Sequence, residues 1–118
     1  MKALNKSYQV LLNELVAVSF KDEVVGSIPK WDAHLNTYIT KNDALPHRAF
    51  SIFLFNQENK LLFQRRSADK KTFPLCWTNT CCSHPNMVEF DDGEKGVEHI
   101  RKALHRALDR ELKMDLTS

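Results

Sequence analysis

Trp77-Thr78-Asn79-Thr80-Cys81-Cys82-Ser83-His84-Pro85 is the most informative stretch of the sequence. Read as an extended segment, it sends Cys82 and His84 to one side and Cys81 and Ser83 to the other, because side chains alternate along a strand. A cysteine and a histidine on one face can act as a nucleophile with its base, as a metal pair, or as a proton-transfer group beside a metal ligand. The same residues also read as a buried thiol packed like a small hydrophobe and a histidine satisfied by a backbone carbonyl. Spacing alone favours that plainer reading.

Downstream lies the clearest helix. Asp91 or Asp92 can cap it, and Glu94 falls in the first turn, where negative charge suits the helix dipole. Val97, Ile100, Leu104, Leu108 and Leu112 recur at three- and four-residue spacing and predict the buried stripe. Glu111 projects close to that stripe, where a carboxylate is costly unless it is paired or binds a cation.

Upstream, residues 49–55 alternate, with Phe50, Ile52 and Leu54 on one face, and the turn Asn56-Gln57-Glu58-Asn59 returns the chain through 60–64 as a hairpin. Arg65, Arg66, Lys70 and Lys71 then follow just beyond a strand end. Such a cluster can bind phosphate, with arginine as a bidentate donor, or simply be a solvated turn. The polar stretch 28–46 has a proline near each end and reads as a long loop, a common carrier of function in a small domain. His34 and His47 bracket it and could converge with His84 on a transition metal, although their spacing matches no short metal motif. Nearest the N-terminus, residues 14–20 alternate as a strand, Lys21-Asp22-Glu23 turns, and Val24-Val25-Gly26 begins the return. Several strands and one real helix make an α+β chain whose sheet is covered on one face only.

Size and composition set the frame. The chain has 118 residues, 42% hydrophobic and 27% charged, which suits one soluble domain without internal repeat or linker. No apolar run approaches a membrane span and the N-terminus lacks a secretory core, so a cytoplasmic protein with no membrane partner is expected. Three cysteines, two of them adjacent, argue against a disulfide framework. A net charge of +2 is too small to predict a nucleic-acid partner.

Several segments together carry a resemblance. Pro46-His47-Arg48-Ala49-Phe50-Ser51, Gln64-Arg65-Arg66-Ser67, Thr72-Phe73-Pro74 and the 77–85 stretch closely resemble type I isopentenyl diphosphate isomerases in the same order. The similarity extends weakly back to about residue 16 and forward through 96–112. It implies a Nudix-like fold, a mixed sheet between helices, here truncated after the Nudix-box-like helix, so that residues 1–118 form one domain lacking its C-terminal half. It also implies isopentenyl diphosphate as the small-molecule substrate and isomerisation to dimethylallyl diphosphate as the reaction. By the resemblance, Cys82 is catalytic; Lys30, Arg66, Lys70 and Ser83 contact the substrate; His34, His47 and His84 are metal ligands; and Glu111 helps to hold Mg²⁺ on the diphosphate. The histidine site would take a second divalent metal, Mn²⁺, Zn²⁺ or Mg²⁺.

The match has departures. Ala107 stands where the family usually has arginine, and Lys113 where glycine normally follows Glu-Leu. Glu98, Arg106 and Glu111 fit the Nudix-box spacing, but Ala107 and Arg110 replace its acidic positions, which argues against a diphosphate hydrolase, the main alternative. A non-catalytic truncated binding form is the other alternative. The family's second catalytic glutamate, a neighbouring metal-binding glutamate and an aromatic wall are implied downstream of the matched region. Residues 1–118 alone are therefore expected to turn over poorly and to leave apolar surface uncovered.

Overall fold

The computed structural model describes residues 7–90 and 98–114. The expected caps Asp91 and Asp92, together with Glu94 and Val97, lie outside the described residues.

Helix α1 (Tyr8–Leu12) is a single turn whose Ser7 hydroxyl accepts the Val10 N–H at 3.3 Å. It leads into β1 (Glu14–Val18), which pairs antiparallel with β2 (Val24–Pro29), Leu15 opposite Ile28. The alternation has a physical outcome on both faces. Leu15 and Ala17 pack with Ile28, Ala33 and Tyr38, whereas Val16 and Val18 pack with Met87, Leu11, Val24 and Phe90. β1 is thus buried throughout, and each large aliphatic side chain removed from water contributes ~1.5–3 kcal/mol. The strand stops at Val18 rather than at residue 20. The Ser19 hydroxyl accepts the N–H groups of Lys21 and Glu23 at 3.1 and 3.2 Å, which closes the turn and leaves Phe20 in solvent.

The second edge of β1 takes two segments. Val18 donates to the Pro46 carbonyl and Arg48 donates to that of Val16, both at 2.9 Å, while Met87 donates to Glu14 at 3.0 Å. Beyond this junction, β3 (Phe50–Ile52) pairs antiparallel with β6 (Cys81–Ser83), Phe50 opposite Ser83. The β3–β6 ladder therefore forks towards β1, with bridges from Ala17 to His47 and from Leu15 to Asn86. His47 and His84 stand where the arms part.

The expected long loop over 28–46 needs correction. Ile28 and Pro29 finish β2, a 3₁₀ turn follows at Asp32–His34, and α2 (Asn36–Ile39) comes next. Ala33 drops into the core beside Leu15 and Ile28, and the Tyr38 hydroxyl accepts the Leu45 N–H at 3.0 Å. These anchors shorten what composition alone leaves open.

The hairpin after β3 forms, but the strand expected over 49–55 shortens to Phe50–Ile52, and Phe55 and Leu61 meet only as an isolated bridge. Leu62 donates to the Leu54 carbonyl at 2.9 Å, and the Asn56 side chain accepts the N–H groups of Glu58 and Lys60, also at 2.9 Å. Phe53, Phe55, Leu62 and Phe63 nevertheless remain exposed. β4 (Gln64–Arg65) then pairs with β5 (Trp77–Thr78). Where a mixed sheet was expected, every described pairing is antiparallel, in short two-stranded ladders.

Helix α3, described over Glu98–Leu112, packs on β6 and β3. Its buried row differs from the leucine stripe. His99, Ala103, Ala107 and Leu108 are buried, while Ile100, Leu104 and Leu112 are only partly covered. Ala103 and Ala107 have no exposed surface and no atoms beyond Cβ, so the helix can lie close against the strands. Glu111, one turn after Ala107, continues that row. Lys113 ends the helix at φ 54°, donating to the Asp109 carbonyl at 3.0 Å.

Candidate active site

The fork and the 3₁₀ turn bring three histidines together. Ring centroids are 4.9 Å apart for His34 and His47, 5.4 Å for His34 and His84, and 4.8 Å for His47 and His84. One nitrogen from each ring lies within 4.8 Å of the others. His34 Nδ1 is 2.8 Å from the Lys30 carbonyl, which can only accept, so Nδ1 carries a proton and Nε2 is the nitrogen available to a metal. Burial pushes His84 down to about 4, helped by repulsion from His47, His34, Lys30 and Arg106. Burial and then His34 also lower His47. Both rings are therefore neutral near pH 7, the state in which imidazole binds a metal.

The donor set fits a divalent transition metal. Three nitrogens no more than 4.8 Å apart leave a centre within about 2.8 Å of each, against roughly 2.0–2.1 Å for a zinc–nitrogen bond, so closure by less than an ångström suffices. Among the described residues, no carboxylate joins the three rings.

Nearby lies a cavity of about 640 Å³ lined by Lys30, Arg65, Arg66, Lys70 and Arg110, together with Cys82 and Glu111. Arg66 is held firmly: its N–H donates to the Cys76 carbonyl at 2.9 Å, its own carbonyl accepts from Leu75 at 3.0 Å, and Nε donates to the Thr72 carbonyl at 3.0 Å. The loop that does this places Phe73 and Leu75 in the left-handed region, at φ 49° and 61°. Arg110 Nη2 contacts Glu111 Oε1 at 3.2 Å across the cavity wall. Several cations around one carboxylate make a receptor for an anion that arrives with a divalent cation.

Five residues to which the resemblance gives a role thus share one cavity: Lys30, Arg66, Lys70, Cys82 and Glu111. Ser83 does not join them. It lines, with His84, a small cavity of about 40 Å³ that shares Lys30 and Arg110 with the larger one. Simple alternation, which paired Cys82 with His84, fails here because β6 ends at Ser83.

Cys82 is exposed to the cavity, and Cys81 is buried under α3. Cys82 Sγ lies 3.0 Å from Asn79 Oδ1 and 3.3 Å from Ser51 Oγ. Asn79 Nδ2 donates to the carbonyls of Ile52 and Cys81 at 3.0 and 2.9 Å, which fixes the amide orientation and turns its oxygen to the sulfur. The thiol must donate to that oxygen, and the Ser51 hydroxyl is left to donate to sulfur. Burial pushes the Cys81 thiol up to about 11, with the Glu111 carboxylate adding to the rise. Asn79 and Ser51 were not given a role from sequence, and Arg110 was noted only as a departure from the Nudix box; nearness to Cys82 and Glu111 was the one hint of their place here.

No protein-family model matches the chain. Curated proteins do. Isopentenyl-diphosphate Delta-isomerase II of Camptotheca acuminata is 48% identical over 100 residues, covering 85% of this chain and 32% of that protein. Isopentenyl-diphosphate Delta-isomerase 1 of Mus musculus is 43% identical over 111 residues, covering 94% of this chain and 48% of that protein. By sequence, the chain is a relative of the isopentenyl-diphosphate Delta-isomerases. It spans about a third to a half of the length of these curated isomerases. Among solved structures, DR0079 from Deinococcus radiodurans superposes with a TM-score of 0.58 at 28% identity, over 86% of this chain and 53% of that one, in keeping with an α+β fold. One departure from the isomerase pattern now has a spatial meaning. Ala107, where arginine is usual, is fully buried, and Arg110 is the α3 cation that reaches both the large and the small cavity.

Proposed function

We propose that the protein interconverts isopentenyl diphosphate and dimethylallyl diphosphate, with Cys82 as a proton-transfer residue. The observation that carries this reading is one cavity holding the Cys82 thiol, the Glu111 carboxylate and the cations Lys30, Arg66 and Lys70. The diphosphate binds the cations, and Glu111 supplies a carboxylate for Mg²⁺ on it, as Mg²⁺ typically takes one or two carboxylates plus phosphate oxygens. Ser83, in the adjoining small cavity, contacts the substrate from that side.

The chemistry follows from the alkene. Its π electrons take a proton at the terminal carbon, leaving a tertiary cation, and loss of a proton two carbons away forms the new double bond. No atom other than these protons is exchanged. Cys82, its S–H aligned by Asn79 and Ser51, handles one proton on one face, and a second carrier serves the opposite face. Anchoring the remote diphosphate fixes the alkene against the sulfur and converts binding into orientation. His34, His47 and His84 would hold a divalent metal, Zn²⁺ or Mn²⁺ by donor type, whose charge would polarise a carboxylate or substrate group at that point.

The fold class belongs to the same proposal: a Nudix-like frame without diphosphate hydrolysis, because Ala107 and Arg110 occupy acidic box positions and leave Glu111 alone among cations. A reducing, cytoplasm-like compartment fits three free cysteines. Among the described residues, no helix is long and apolar enough to cross a membrane.

Alkylation by iodoacetamide, read at each cysteine by mass spectrometry, tests the proposal. Isopentenyl diphosphate with Mg²⁺ is expected to slow modification of Cys82 and leave the exposed Cys76 unchanged. Equal protection by a nucleoside diphosphate, or none by isopentenyl diphosphate, overturns it.

A further inference from the structure

We propose that Glu89 and Arg106 are positioning residues for His84, an inference that takes its functional meaning from the metal reading of the histidine cluster. Three consecutive residues, His84-Pro85-Asn86, run from the end of β6 to the edge of β1. Arg106 Nη2, from α3, donates to the His84 carbonyl at 2.9 Å. The same guanidinium engages both carboxylate oxygens of Glu89, Nε to Oε1 and Nη2 to Oε2, the latter at 3.2 Å. Glu89 Oε2 in turn accepts the Asn86 N–H at 2.9 Å. One ion pair therefore grips both ends of the segment that carries the histidine.

The surroundings make this a rigid grip. Pro85, between the two gripped residues, is fully buried and has a fixed φ. Asn86 Oδ1 accepts the N–H groups of Val88 and Glu89, each at 3.1 Å, so the turn that presents Glu89 is closed by the residue Glu89 holds. Glu89 and Asn86 are 9% and 6% exposed, so the carboxylate relies on its guanidinium partner. Arg106 precedes the fully buried Ala107, which seats its backbone against the strands. Arg106 lines the small cavity with His84 and is absent from the wall of the larger one. It acts on the ring through the backbone. The coordinate-setting groups of a metal site lie in such outer contacts, whose loss typically weakens metal binding about 10–100-fold.

The test uses Arg106→Met, Arg106→Lys and Glu89→Gln with two readouts. In metal-free protein, proton NOEs between the His47 and His84 rings are expected in the unsubstituted chain and are expected to weaken or vanish in Arg106→Met and Glu89→Gln. Co²⁺ titration followed by visible absorption is expected to show affinity about 10–100-fold weaker in those two variants, with partial recovery in Arg106→Lys. Circular dichroism at the working temperature selects the folded variants; if Arg106→Met does not fold, Glu89→Gln and Arg106→Lys carry the comparison. Unchanged ring NOEs and unchanged Co²⁺ affinity in a folded variant overturn the proposal and leave a merely structural ion pair. Ring NOEs that depend on Arg106, in a chain that takes up no Co²⁺, uphold the positioning and sink the metal reading instead.

Discussion

The carboxamide oxygen of Asn79 lies 3.0 Å from the Cys82 sulfur and can only accept, so it sets the direction of the thiol proton. The neighbouring Cys81 thiol turns the other way: it is buried and held protonated, pushed up to about 11 by burial and by the Glu111 carboxylate that accepts its proton. Two adjacent cysteines therefore have different fates. In a catalytically complete form of the protein, Cys82→Ala is expected to lower the isomerisation rate about 10²–10⁴-fold, the usual loss for one positioned acid–base group. Cys81→Ala should cost less than about tenfold by the same scale. Rates of double-bond migration followed by NMR check this, and equal losses would contradict the assignment.

How much of this was legible in sequence depends on the length scale of the signal. The period-two alternation around Val16 and Val18 announced β1, but not that both of its faces are covered, because Met87 and Phe90 lie far along the chain. The 3₁₀ turn at Asp32–His34 is too short to show a period, so its stretch read as loop. On α3 the larger apolar residues drew the eye, whereas close packing selected Ala103 and Ala107. His34, His47 and His84 share no motif spacing; residue chemistry left a shared metal as one reading beside scattered surface histidines, and the family resemblance favoured the grouping that folding brings about. Asn79 stayed hidden because its side chain, not its strand position, aims Cys82.

The depressed histidines predict an acid-sensitive fold. Below its ordinary value of 6.5, an unfolded His84 takes up a proton that the folded chain, with His84 at about 4, refuses. Stability is thus fully present above pH 6.5 and is lost as pH falls towards 4. Urea midpoints of the metal-free chain should drop between pH 6.5 and 5, before carboxylates contribute strongly. His84→Asn should flatten that slope; an unchanged slope would refute the cause.

Lys113 occupies the left-handed position that closes α3, at φ 54°. Glycine adopts that conformation without a Cβ clash, so Lys113→Gly is expected to stabilise the chain by about 1 kcal/mol. Urea denaturation measures it, and a destabilised variant would contradict the geometry.

Phe53, Phe55, Leu62 and Phe63 expose apolar surface on one hairpin. Large apolar side chains concentrated in this way favour association. Sedimentation velocity should show concentration-dependent self-association of this chain, reduced by Phe53→Ser with Phe63→Ser. A monomer at all concentrations would show the patch to be inert.

Calorimetric titration of isopentenyl diphosphate in the presence of Mg²⁺ tests the central claim most directly, that the cation-lined cavity beside Cys82 receives a five-carbon alkenyl diphosphate. The account predicts Mg²⁺-dependent binding, weakened about 10–100-fold by Arg66→Ala or Lys70→Ala, the loss expected for one charged hydrogen bond. Absence of binding, or affinity unchanged in both variants, would contradict it.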